Sequence, residues 1–97
     1  MPFPDTNHFA LTRNSVRAHA PSDSGVYGIF SRIQWIYVGE SRDIQQRLLE
    51  HIEDTEADIK RYGPTGFVFE LQPEAARAAR RDALLRELPV ECKQRFS

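Results

Sequence analysis

The chain has 97 residues, of which 40% are hydrophobic and 28% are charged, a composition typical of one globular domain near the lower size limit for an unstapled core. Its single cysteine, Cys92, excludes an internal disulfide framework. We find no apolar run long enough to span a bilayer and no secretory signal pattern, so we expect one cytoplasmic domain over residues 1–97, with residues 1–8 as a loose N-terminal segment.

The charge balance bears on nucleic-acid binding. The formal net charge is −1, whereas affinity for DNA comes largely from neutralising phosphates with Lys and Arg. Acidic residues concentrate in residues 50–58 and basic residues in residues 77–95, which permits a basic face without an overall basic field. We therefore expect any binding to DNA to be weak or non-specific.

The first predicted elements are a short helix and a hairpin. Thr12 is a suitable cap for a helix over residues 12–17, and the turn residues 21–25 lead into the first long strand. Two runs rich in β-branched and aromatic residues, 26–30 and 35–38, are separated by four residues. So short a connection predicts an antiparallel hairpin, with one tyrosine on each strand.

A helix is predicted directly after the hairpin. Asp43 is a plausible N-cap, and Gln46 three residues later completes a capping-box pattern. Ile44, Leu48, Leu49 and Ile52 form an apolar stripe at helical spacing. Arg47 and His51, four residues apart, lie at the edge of that stripe and are expected to face the hairpin.

The second half of the chain predicts one more strand and one more long helix. Residues 67–71 alternate in the manner of a strand, and Pro73 and Glu74 suit the first turn of a helix that Pro89 ends. The expected fold is therefore a small α/β sandwich, in which a three-stranded antiparallel sheet is flanked by helices.

Four polar positions and two glycines resemble the GIY-YIG endonuclease family. Gly25-Val26-Tyr27 corresponds to the first tripeptide of the family and Tyr37-Val38-Gly39 to the second, with Val in place of Ile. Arg47 comes ten residues after Tyr37, and His51 follows one helical turn later, as the family pattern requires. The resemblance runs from about Ser24 to His51, and more loosely to the C-terminus.

The resemblance implies a function and a set of roles. It implies hydrolysis of DNA phosphodiesters with one divalent cation, Mg²⁺ or Mn²⁺. Tyr27 would position or deprotonate the water, and Tyr37 would hydrogen-bond the phosphate or tune Tyr27. Arg47 would clamp the scissile phosphate, His51 would assist proton transfer, and Gly39 would allow the phosphate to approach the backbone.

The family's metal-binding glutamate has no counterpart at the expected position. It precedes an apolar pair by three residues, and here Arg81 stands three residues before Leu84-Leu85. One reading is that Arg81 replaces the charge of the metal and holds a phosphate, with activity lost. Alternatively, a metal could be bound by another carboxylate. The candidates are Asp82, which needs a helix rotation of about 100°, Glu40 from another element, and Glu74, two helical turns before Arg81.

Two functions of different classes follow from these readings. The first is a metal-dependent nuclease acting on DNA, whose competence depends on what replaces the missing glutamate. The second is a non-catalytic module on the same fold, which either binds phosphate or nucleic acid or serves as a protein-interaction domain.

Overall fold

The computed structural model describes residues 8–53 and 62–88. The elements, in chain order, are β1 (Phe9–Ala10), α1 (Arg13–His19), β2 (Gly25–Phe30), β3 (Trp35–Ser41), α2 (Ile44–Glu53), β4 (Gly66–Leu71) and α3 (Glu74–Glu87). Within these residues no helix is long and apolar enough to cross a membrane.

Over the described ranges the chain forms a four-stranded sheet in the order β1-β4-β2-β3, and every pairing is antiparallel. The expected three-stranded sheet was wrong by one strand. In β1, Phe9 lies opposite Phe67 and Ala10 opposite Gly66, and the Leu11 amide donates to the Thr65 carbonyl at 2.9 Å. A two-residue strand is too short to show alternation in the sequence, so only its backbone pairing reveals it.

The sheet separates two layers of helices. On one face the buried side chains of β2, β3 and β4 pack with α1 and α2, in a cluster that includes Tyr27, Tyr37 and Phe67. On the other face Val26, Val38 and Val68 pack against α3. Because neighbouring residues of a strand point to opposite faces, this division fixes which polar side chains can meet.

The helix boundaries follow the predicted caps with one adjustment. The Asp43 carboxylate accepts from the Gln46 amide at 3.0 Å, and the Thr12 hydroxyl accepts from the Ser15 amide at 3.2 Å. Pro73 is the N-cap residue of α3 and not its first helical residue, and α3 ends before Leu88. The predicted loose segment 1–8 falls, apart from His8, outside the described residues.

Candidate active site

Two tyrosines lie side by side on the face of the sheet that α2 covers. Tyr27 of β2 is paired with Gly39 of β3, and Ile29 is paired with Tyr37. Both tyrosines therefore point to the same face from adjacent strands, and their ring centroids are 6.0 Å apart. Tyr27 is fully buried and Tyr37 nearly so.

His51 completes this pair from the helix. The apolar stripe of α2, which includes Ile44 and Leu48, is buried against the sheet and carries His51 with it. The Nε2 atom of His51 lies 2.8 Å from the Tyr27 hydroxyl, and its ring centroid lies 5.4 Å from that of Tyr37. The buried imidazole thus forms a hydrogen bond with the Tyr27 phenol, in which one group donates and the other accepts.

Arg47 lies one turn before His51 on α2, at the edge of the buried cluster. Its guanidinium interacts with the Tyr27 hydroxyl, and its Nη1 donates to the Glu50 carboxylate at 2.8 Å. Only 20% of the Arg47 side chain is exposed. The structure therefore brings together four predicted site residues, Tyr27, Tyr37, Arg47 and His51, which we call the tyrosine–histidine cluster.

Burial decides the protonation of the Tyr27 phenol. It raises the pKa of Tyr27 far above the usual value for a phenol, Tyr37 acts in the same direction, and the charge of Arg47 opposes them. The phenol is consequently protonated at neutral pH. In this arrangement Tyr27 works as a hydrogen-bond donor or acceptor towards His51, and not as a free base.

Gly39 lies directly against the side chains of Tyr27 and Tyr37. A Cβ atom at this position would lie 2.7 Å from the Tyr27 hydroxyl oxygen and 2.8 Å from Cε2 of Tyr37, distances that no side chain tolerates without displacement. The glycine therefore lets both tyrosine rings approach the backbone of β3 closely.

Arg81 lies apart from the tyrosine–histidine cluster, on the α3 side of the sheet. Glu40, paired with Val26 across the strands, accepts from Arg77 at 2.8 Å and from Arg81 at 3.3 Å. Arg81 also contacts Asp82 at 3.1 Å. The structure therefore joins Arg81 to Glu40, and does not bring Arg81 to Tyr27.

The carboxylates of Glu40, Glu50 and Asp82 do not fit a divalent cation. The Glu40 carboxylate is held between two guanidinium groups, Glu50 is held by Arg47, and Asp82 is held by Arg81. A hard cation prefers carboxylate oxygens that are free to coordinate it, and a guanidinium beside each of them repels it. In residues 8–53 and 62–88 there is also no group of three or more potential metal ligands, and Glu74 is exposed at the start of α3.

Two charged residues near these sites were missed in the sequence. Glu50 follows Arg47 by three residues and Arg77 precedes Arg81 by four, spacings that place each pair on one helix face. Those spacings were the available signals. The contact that Arg77 makes across space, with Glu40 of β3, is not visible in a helical pattern.

Comparisons with known proteins agree with this geometry. Residues 23–75, more than half of the chain, match the GIY-YIG catalytic domain. No curated protein sequence matches the chain at a significant level.

Among solved structures, the chain resembles point mutants of the GIY-YIG N-terminal endonuclease domain of UvrC from Thermotoga maritima, each bound to its catalytic divalent cation. Two are tyrosine-to-phenylalanine mutants, both with a TM-score of 0.69 over 82% of this chain and 96% of that one, at 19% and 17% identity. An asparagine-to-alanine mutant has a TM-score of 0.66 at 18% identity, over 78% and 91% of the two chains. At such identities the likeness shows a shared fold, and together with the match over residues 23–75 it establishes that the chain belongs to the GIY-YIG family.

Proposed function

We propose that this domain binds the phosphodiester backbone of DNA at the tyrosine–histidine cluster. The observation that carries the proposal is the 2.8 Å hydrogen bond between the Tyr27 hydroxyl and His51 Nε2, with the Arg47 guanidinium beside it. Arginine binds phosphate oxygens through paired N–H groups, and Tyr27, itself hydrogen-bonded to His51, fixes the position of the guanidinium. Membership of a nuclease family supports DNA as the source of the phosphate.

The chemistry of the cluster favours holding a phosphate over activating water. A protonated, buried Tyr27 donates hydrogen bonds well but accepts a proton from water poorly. Arg47 supplies positive charge, and His51 orients the phenol. Arg47 would therefore hold the phosphodiester and stabilise its charge, on a position that the buried Tyr27 and His51 support.

We further propose that cleavage with magnesium is absent or strongly weakened. The carboxylates of Glu40, Glu50 and Asp82 are each paired with an arginine, so these three offer a catalytic cation little affinity. In this view the domain is a phosphodiester-binding module built on a nuclease fold.

Metal-dependent hydrolysis of DNA with Mg²⁺ or Mn²⁺ is the second candidate function. It is favoured by the UvrC domains that share the fold, which are described as endonucleases bound to a catalytic divalent cation. In that case His51 would take the proton of Tyr27 during turnover, because the two groups are already hydrogen-bonded.

Fluorescence anisotropy of a labelled DNA duplex, measured in EDTA at low salt, tests the binding proposal. We expect Arg47→Ala to weaken binding about tenfold, since a hydrogen bond to a charged group contributes about 1.5 kcal/mol. Arg42→Ala is the matched control, because it removes the same charge from an exposed residue just before α2. Equal losses in both variants would contradict a specific site at Arg47.

A plasmid-nicking assay with Mg²⁺ and with Mn²⁺ separates the two candidates. We expect no nicking above the protein-free control. Nicking that Tyr27→Phe and Arg47→Ala both abolish would establish the nuclease instead. If the protein neither binds nor nicks DNA, a role as a protein-interaction domain is the remaining candidate.

A further inference from the structure

Arg47, the residue assigned to phosphate, already holds an anion in the free protein. Its Nη1 donates to Oε1 of Glu50 at 2.8 Å, and its side chain is only 20% exposed whereas that of Glu50 is 49% exposed. The guanidinium also interacts with the buried Tyr27. The Glu50 carboxylate, the more exposed of the two groups, therefore occupies the Nη1 donor of Arg47.

The Glu50 carboxylate is set in place by more than one contact. Gln46 Nε2 donates to Oε2 at 3.3 Å. Hydrogen bonds from Arg47 and Gln46, together with the nearby His51, hold the pKa of Glu50 below its usual range. The carboxylate is thus ionised at neutral pH, with both of its oxygens engaged.

A carboxylate and a phosphodiester present the same features to an arginine. Each is a monoanion with two oxygens that accept from one guanidinium. Two such anions cannot use the same N–H groups at once, and their mutual repulsion in a partly buried site adds to the exclusion.

Resting on the function proposed above, we propose that Glu50 is an internal competitor, whose carboxylate occupies the phosphate position of Arg47 and must leave before DNA binds. Glu50 then sets the affinity of the site. Because the Glu50 side chain is about half exposed, its ion pair with Arg47 is weak enough for a phosphate in a nucleic-acid strand to displace it.

The test compares Glu50→Gln with Glu53→Gln in the anisotropy assay. Both substitutions remove one negative charge from α2. Glu53 is the control because its side chain, 53% exposed, pairs with Arg13 at 3.2 Å and not with Arg47. We expect Glu50→Gln to tighten DNA binding about tenfold and Glu53→Gln to change it less than about twofold. The gain should disappear when Arg47→Ala is added to Glu50→Gln.

Three results would overturn the proposal. Equal gains in Glu50→Gln and Glu53→Gln would mean that only overall charge matters, and a gain that survives Arg47→Ala would mean that Arg47 is not the shared position. An unchanged affinity in Glu50→Gln would make the ion pair an ordinary helix contact and would also reject the competition.

A titration with inorganic phosphate, followed by the NMR signal of the Arg47 Nε–H group, distinguishes this proposal from the proposed function. If no variant binds DNA but phosphate shifts that signal more readily in Glu50→Gln than in the unaltered protein, the competition stands and the DNA function fails. If phosphate moves the signal equally in both proteins or in neither, the competition itself fails.

Discussion

The hydrogen bond between Tyr27 and His51 is the central contact at the scale of single residues. Both side chains are buried on the sheet, so each needs a polar partner in place of water. We predict that Tyr27→Phe lowers the free energy of unfolding by about 1–3 kcal/mol, because the imidazole loses that partner without gaining water.

A double-mutant cycle by urea unfolding measures this coupling. His51→Leu combined with Tyr27→Phe removes both partners, and we expect the double variant to be more stable than the sum of the single losses predicts, by about 1 kcal/mol. Additive losses would show that the 2.8 Å contact contributes nothing specific. A wider packing effect would then explain the single variants.

Gly39 gives a second prediction at this scale. A methyl group at this position meets the Tyr27 hydroxyl and the Tyr37 ring at less than 3 Å, and both rings are fixed by their neighbours. We expect Gly39→Ala to cost about 1–3 kcal/mol of stability and to weaken DNA binding, measured by urea unfolding and by anisotropy. Gly63→Asn is the control, since no atom lies near a Cβ there and Asn tolerates its positive φ; a loss there as large as at Gly39 would remove the steric explanation.

At the scale of elements, paired charges fasten α3 to the sheet. Arg80 Nε donates to one oxygen of Glu70 at 2.7 Å and Arg80 Nη2 to the other at 2.9 Å. On β3, Glu40 is shared by Arg77 and Arg81. Arginines that a sequence pattern presents as a basic face are thus largely used within the fold.

This attachment predicts how stability depends on pH. Burial raises the pKa of the Glu70 carboxyl, but hydrogen bonds from Arg80 and Gln72 outweigh it and the pKa is lowered overall. The folded state therefore binds this proton less readily than the unfolded state. The ionised Glu70 therefore contributes fully to the free energy of unfolding above the pKa of an unfolded glutamate, about 4.3. This contribution is lost as the pH falls through the lower pKa of Glu70 in the folded protein.

We expect Glu70→Gln to lower the free energy of unfolding at pH 7 and to have a smaller effect as the pH falls below about 4. Urea unfolding across that range measures the difference. Glu74→Gln, which removes an exposed carboxylate from the first turn of α3, serves as the control and should have a smaller effect than Glu70→Gln at pH 7. A Glu70→Gln loss that is the same at both ends of the range would contradict the linkage.

At the scale of the whole molecule, the charge distribution limits the affinity for DNA. The net charge is −1, and the described arginines of α3 that point to the sheet are paired with Glu40 and Glu70. Few phosphates can therefore be neutralised at one time. We predict that the logarithm of the binding constant falls with the logarithm of salt concentration with a slope of about −2, as expected for about two phosphate contacts.

Anisotropy titrations at several salt concentrations give this slope. Arg47→Ala should reduce its magnitude by about one, because one phosphate contact is removed. A slope steeper than about −5 would indicate many more phosphate contacts on the protein, and the basic residues 77–95 would then be the next to test.

The expected cytoplasmic location stays a prediction.

The amino-acid sequence by itself determined the local features of this protein. The hairpin, the capped helix α2 and the order of Tyr27, Tyr37, Arg47 and His51 are readable because strand alternation, helical spacing and capping act between near neighbours. Strand alternation places Tyr27 and Tyr37 on one face of the sheet, and the helical spacing of α2 places His51 beside them.

Only the tertiary structure decided what these residues meet. The side of the sheet on which α3 packs cannot be read from the period of α3, and that side joins Arg81 to Glu40 and separates it from Tyr27. The two residues of β1 are likewise too few to show a pattern and depend on backbone pairing with β4. Local sequence fixes periodicity and caps, whereas contacts between distant segments depend on how the chain crosses the sheet, which no short-range pattern records.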